Sequence, residues 1–166
     1  MSKVSSVSSD LFLLDGLQDF QEQSLKLIAQ TRRSIAILSR NLDEHIYGTN
    51  EVVQALSNFV RSSRNAQVQL LVKDTKSVVE IGHKLAKLHQ RLPSKILLRK
   101  LTVEPQDTEM GFMLCDTNTL LYKNDDLIYK GFANFNAAVE VKRLRETFDY
   151  IWQYGEPEPE FQTLTI

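Results

Sequence analysis

Residues 109–136, EMGFMLCDTNTLLYKNDDLIYKGFANFN, hold three short apolar runs separated by turn residues and followed by a helix start. The runs 112–115, 119–122 and 127–129 are rich in aromatic, branched and large apolar residues, the composition that fits a pleated, half-buried surface. Between them, Asp116-Thr117-Asn118 and Lys123-Asn124-Asp125-Asp126 supply turn chemistry, because short polar side chains hydrogen-bond their own backbone and tolerate tight conformations. The stretch predicts a β-meander at the centre of a sheet.

N-terminal to it, the apolar run 11–14 stops at Asp15-Gly16 and reads as a first strand. Leu17, Phe20, Leu27 and Ile28 then recur at helical spacing, and 34–39 follows as a strand. The polar segment 40–48, with Arg40, His45 and Tyr47, reads as a loop at the carboxyl end of that strand, where α/β sheets place binding residues. Thr49-Asn50 caps a helix with Val52, Val53, Leu56, Phe59 and Val60 on its inner face, and 68–72 is the next strand. Residues 75–92 read as one helix with the seam Val78, Ile81, Leu85, Leu88 and Leu92, ended by Pro93, and 96–103 as a strand. After the meander, Asn136 starts a helix with Val141, Leu144, Phe148, Ile151 and Trp152 along one stripe, which Gly155 ends. Strand–helix alternation with short links predicts an α/β layered fold, with helices covering a largely parallel portion of sheet. The domain spans 11–155, after a flexible leader 1–10 and before an acidic linker and tail, 156–166, that begins Glu156-Pro-Glu-Pro-Glu160.

At 166 residues and 42% apolar content the chain suits one domain with a real core. A formal charge of −1 gives no global attraction to nucleic acid or membrane, so any electrostatic role belongs to a local patch. The single cysteine, Cys115, excludes an intramolecular disulfide and suits a reducing, cytoplasmic compartment. The serine-rich start lacks the apolar block of a secretory signal, and no apolar run reaches the ~18 residues of a membrane span.

The one local charge concentration lies between Lys76 and Lys100. There Lys76, Lys84, Lys87, Arg91, Lys95, Arg99 and Lys100 face a single acid, Glu80, with His83 and His89 added. Such a cluster binds phosphate or an acidic partner, or else forms a solvated helix face balanced by acids from elsewhere in the fold. His83, Lys84, Lys87, Arg91 and Arg99 are the candidate ligand-binding residues, and nucleic acid is the phosphate-bearing ligand expected. The two histidines stand six residues apart and do not share a helix face as an i, i+4 metal pair does; no metal or cofactor is expected.

The order of elements and the meander resemble one half of a phospholipase D-like protein. In that superfamily each half carries His-x-Lys, four residues, Asp, and then Gly-Ser-x-Asn. Two halves, or two identical chains, meet in a two-histidine phosphodiesterase site, one histidine attacking phosphorus and the other protonating the leaving oxygen. With Asp116 as the motif's Asp, the His position falls on Glu109, the Lys position on Gly111, and the last element on Gly131-Phe132-Ala133-Asn134. Asp116, Gly131 and Asn134 survive. A carboxylate at 109 is a poor replacement for an attacking imidazole, and Gly111 offers no ammonium to the transition state's charge. Gly82-His83-Lys84-Leu85 with Leu88 and Arg91-Leu92-Pro93-Ser94 is similar to the signature helix of a bacterial group of phospholipase D-like proteins lacking the catalytic pair.

The resemblance implies a mixed sheet with helices on both faces, a homodimer, and a pseudoenzyme that binds without catalysing. Some members are appended to acetyltransferase-like domains, which implies a protein partner of that kind. Two other readings stand beside it. One is an interaction or scaffold module acting through the acidic linker and tail; the other is a phosphodiesterase rearranged around His45 and Asp116.

Overall fold

A computed structural model describes residues 10–104, 111–125 and 127–162. Seven strands form one sheet: β1 Leu11–Asp15, β2 Ser34–Ser39, β3 Gln67–Val72, β4 Ile96–Lys100, β5 Gly111–Cys115, β6 Thr119–Lys123 and β7 Lys130–Asn134. Among the described residues seven helices accompany them: α1 Leu17–Gln30, α2 Glu44–Tyr47, α3 Asn50–Arg61, α4 Thr75–Glu80, α5 Lys84–Arg91, α6 Ala138–Gln153 and α7 Pro159–Gln162. Across the sheet the order is β1-β7-β6-β5-β2-β3-β4. β2, β3 and β4 run parallel, and every other pairing is antiparallel. The expected mixed α/β sheet is present, with the first strand of the meander at its middle.

The pleat sends alternate side chains to two cores. Ile35 and Ile37 of β2 with Met113 and Cys115 of β5 face α1, α3 and α5, and meet Phe20, Leu27, Leu56, Phe59, Leu85 and Leu88. Ala36 and Leu38 with Phe112 and Leu114 face the opposite way and meet Val141, Leu144, Phe148 and Ile151 of α6. One face is thus covered by the helices that link the strands, the other by the single long helix after the meander. Burial pushes the Cys115 thiol up to about 12, so it packs as a neutral apolar group.

Several boundaries differ from the sequence reading, each for a local reason. The meander's third strand is 130–134, not 127–129; Leu127 is 89% exposed in the turn that precedes it. The strand expected over 96–103 ends at Lys100, which pairs with Val72 of β3 and, through an isolated antiparallel bridge, with Glu156. The loop 40–48 contains one helical turn, capped by the Asp43 side chain accepting from the His45 N–H. Most consequential is the helix expected over 75–92, which is two helices. Gly82 adopts φ +63, and Ile81, assigned to the seam, is exposed. His83 then restarts the chain: its Nδ1 accepts the Leu85 N–H at 3.0 Å, capping α5, while its Nε2 donates to the Leu42 carbonyl at 2.5 Å.

The joint between the two halves of the sheet is the β2–β5 pair, and one side chain clips it. Asp116, just after β5, accepts the backbone N–H groups of Arg32, Arg33 and Ser34 at 3.0, 2.8 and 3.2 Å. Its own N–H donates to the Ser34 carbonyl, and its φ of +56 is one that Asp tolerates better than most residues. Removing the carboxylate leaves three donors without their acceptor. Asp116→Ala should cost about 2 kcal/mol in urea unfolding, with Asp116→Asn intermediate; an unchanged midpoint for Asp116→Ala would remove the clip from the account.

His83 gives a second expectation. Burial lowers its pKa, partly offset by its bond to the Leu42 carbonyl and by the carboxylates of Glu44 and Asp43. Below about pH 6.5 the unfolded chain therefore binds a proton that the folded chain refuses, and stability falls as pH drops from there towards the depressed folded value. Urea midpoints measured from pH 7.5 to 5 should show this fall in the parent and a flatter profile in His83→Asn. Parallel profiles would assign the fall to other groups.

Candidate functional site

The motif positions lie along the meander, and the sheet separates them. Gly111 opens β5 beside the carboxyl end of β2, while Asp116 lies at the other end, beside the start of β2. Glu109 lies outside the described residues. Gly131 crosses β6 so closely that a Cβ there would stand 1.8 Å from the Tyr122 carbonyl oxygen, so only glycine fits. The Asn134 side chain accepts the Asn136 N–H at 2.9 Å in the turn that leads into α6. Each surviving motif residue in the described chain therefore holds backbone.

Around Gly111, the residues Leu38, Ser39, Asn41, Asp43, Tyr47 and Lys123 line a cleft of about 30 Å³. Lys123 is the cross-strand partner of Gly111. Its ammonium donates to the Asp125 carbonyl and lies 5.2 Å from the Tyr129 ring centroid. The Tyr129 hydroxyl donates to Asp43 at 2.8 Å, and burial followed by that carboxylate raises its pKa. Tyr47 is raised too, by burial first and then by the Asp43 charge. Both phenols are neutral hydrogen-bonding groups at physiological pH, not bases. The sequence reading singled out neither Lys123 nor Tyr129; the pairing of Lys123 with Gly111 follows from meander register, but Tyr129 had been assigned to a strand.

The rearranged site around His45 and Asp116 does not form. His45 follows the carboxyl end of β2 and Asp116 faces its amino end, so the length of the strand lies between them. His89 is also buried, its Nδ1 bonded to the Ile96 carbonyl at 2.6 Å and its ring edge-on to Phe161. Among the described residues no group of three or more His, Cys, Asp or Glu could hold a metal ion.

The basic cluster sorts into four environments. Lys84, Lys87 and Arg91 are exposed at i, i+3 and i+7 on α5, one helix face, and the eight residues of α5 include no acid. Lys84 also donates to Asn50 at 2.7 Å. Lys95 turns to the backbone, donating to the carbonyls of Ser63, Arg64 and Ala66 at 2.9, 2.7 and 3.2 Å. Lys76 and Lys100 line a cleft of about 440 Å³ with Thr75, Val79, Glu80, Glu158 and Glu160. Arg99 leaves the group. Its neighbours Ile96 and Leu98 face α5, so alternation sends Arg99 to the α6 side, where it lies 4.5 Å over the Trp152 ring and donates to the Trp152 carbonyl at 2.7 Å. Of the five expected ligand-binding residues, the fold brings Lys84, Lys87 and Arg91 together. His83 is 3% exposed with both ring nitrogens engaged, and Arg99 is across the sheet.

Residues 156–162, expected as linker and tail, lie against the domain. Glu156 and Lys100 exchange backbone hydrogen bonds at 2.6 and 2.9 Å. Glu158 accepts from the Thr75 hydroxyl at 2.5 Å, and Phe161 is buried among the residues of the α5 side.

Known structures share this architecture. TrmBL2, described as an archaeal chromatin protein with a novel mode of DNA binding, superposes with a TM-score of 0.64 at 12% identity, over 93% of this chain and 60% of its own. NucT from Helicobacter pylori matches at 0.62 and 13%, over 89% and 97% of the two chains. Nuc from Salmonella typhimurium, a phospholipase D family member, matches at 0.56 and 13%, over 81% and 88%. The chain thus spans less than two thirds of the length of TrmBL2. At these identities the likeness concerns the fold, which is phospholipase D-like. No curated protein matches the sequence. Residues 16–164 match the family described as a domain of unknown function, DUF7931, and the chain belongs to that family.

Proposed function

We propose that this chain is a non-catalytic phospholipase D-like module that binds the phosphate backbone of nucleic acid through α5. The observation that carries the reading is the exposed triad Lys84, Lys87 and Arg91 on one face of a helix without acids. Charges so placed neutralise successive phosphates and release condensed counterions, a binding mode that needs no base contact. The DNA binding attributed to TrmBL2 agrees with this use of the fold.

The residues at the motif support a binding role over catalysis. Gly111 supplies no ammonium, and His83 and His89 are buried and bonded to backbone carbonyls. An imidazole buried and bonded to backbone in this way reaches neither phosphorus nor a leaving oxygen.

The homodimer implied by the family resemblance belongs to the same reading, because two copies of α5 on one duplex raise affinity without new contacts. Light scattering at micromolar concentration should give about twice the chain mass of 19.1 kDa; the mass of a single chain would remove the dimer.

Anisotropy of a labelled 20-base-pair duplex with the purified protein tests the binding. Saturable binding should weaken about tenfold or more between 50 and 200 mM salt. Lys84→Glu with Lys87→Glu and Arg91→Glu should abolish it while changing the unfolding free energy by only ~0.5 kcal/mol per substitution, as expected of surface changes. Binding that survives the triple reversal would move the interface away from α5.

A further inference from the structure

The acidic segment after α6 makes an unusual crossing. α6 covers one face of the sheet, yet the chain that follows it passes the β4 edge and ends on the other face. Glu156 pairs with Lys100 at that edge, Glu158 accepts from Thr75 at the start of α4, and Phe161 inserts beside His89 of α5. The Gln90 side chain donates to the Phe161 carbonyl at 3.3 Å. Gln90 is three residues from Lys87 and adjacent to Arg91, so the end of the strap meets the helix that carries the phosphate-binding triad.

The strap is held at both ends and is charged between them. Backbone bonds at Glu156 and the buried ring of Phe161, 7% exposed, fix its path. Glu158 and Glu160 then share a cleft with Lys76 and Lys100, the two remaining solvent-exposed cations of the basic stretch. Glu158 accepts the Glu160 N–H at 3.2 Å with one oxygen and the Thr75 hydroxyl with the other. The strap carboxylates, with Glu80, thus stand beside Lys76 and Lys100 in a cleft formed by α4, the helix before α5, and the end of β4.

We propose that residues 156–161 form an autoinhibitory strap, an internal mimic of the phosphate backbone that limits how much of the basic surface nucleic acid can use. The proposal rests on the α5 reading above. It makes the affinity of the parent chain a residual set by Lys84, Lys87 and Arg91, with Lys76 and Lys100 held in reserve. Neutralising the strap removes like-charge repulsion towards an incoming strand beside Lys76 and Lys100.

The test uses the full chain and the same labelled duplex at 50 mM salt. Glu156→Gln with Glu158→Gln and Glu160→Gln keeps an amide oxygen to accept from Thr75 and should bind about tenfold more tightly, with a steeper loss on adding salt. A charge-matched control, Glu140→Gln with Glu146→Gln and Asp149→Asn on α6, should change affinity by less than about threefold, because α6 lies across the sheet from α5. If the triple strap variant fails to fold, Glu156→Gln with Glu160→Gln leaves the Thr75 bond intact and should tighten binding in the same direction. Binding by the strap variant where the parent shows none supports the proposal equally. A parent that binds with an unchanged strap variant overturns the strap and leaves the α5 reading standing. Equal tightening in the α6 control reduces the effect to net charge and also overturns it. Failure of both parent and strap variant to bind overturns the two readings together.

Discussion

The carboxylate of Asp116 gathers three consecutive backbone N–H groups from the turn between α1 and β2. That contact joins two structures with different logic. On one side stands a parallel β2-β3-β4 unit built from strand–helix alternation, on the other an antiparallel meander closed by β1. Parallel strands need helical crossovers and meander strands need only turns, so the seam between them has no connection of its own to fix register. The Asp116 clip supplies one, and Ile35 through Leu38 pair in register with Cys115 through Phe112 as a result. Both cores depend on that register, because a one-residue slip would exchange the side chains facing α1, α3 and α5 with those facing α6.

The same contact shows what the motif-like residues do in this fold. Asp116 binds backbone, Gly131 lets β6 and β7 approach, and Asn134 turns the chain into α6. These are requirements of the fold. At Gly111, the position that corresponds to the motif's Lys, a Cβ would meet only the Leu38 carbonyl oxygen, at 3.5 Å, so packing does not require glycine there. The pattern that survives marks architecture, and chemistry has to be argued from the residues that line the surface now.

Much of the fold was legible because it rests on periodicity and turn chemistry. The first two strands of the meander, the parallel β2-β3-β4 unit and the stripes on α3 and α6 follow from apolar spacing and turn chemistry. The break at Gly82 was not, since Ile81 and Leu85 continue a perfect helical seam, and a positive φ at one glycine outweighs it. The basic cluster misled for a related reason. Sequence proximity placed Arg99 with Lys87 and Arg91, whereas the period of two in β4 turned its side chain towards Trp152. His83 looked like part of a charged face and is an N-cap within the core. The acids at 156–160 looked like a linker because nothing local records that Phe161 finds a place beside His89.

Amide hydrogen exchange with and without a saturating 20-base-pair duplex at low salt reads where the nucleic acid sits as well as whether it binds. The account predicts slowed exchange in 84–91, with the β5 start at Gly111 and the neighbouring Lys123 unchanged. Protection centred on Gly111 and Lys123, with 84–91 unaffected, would contradict it and return attention to the end of the sheet around Gly111.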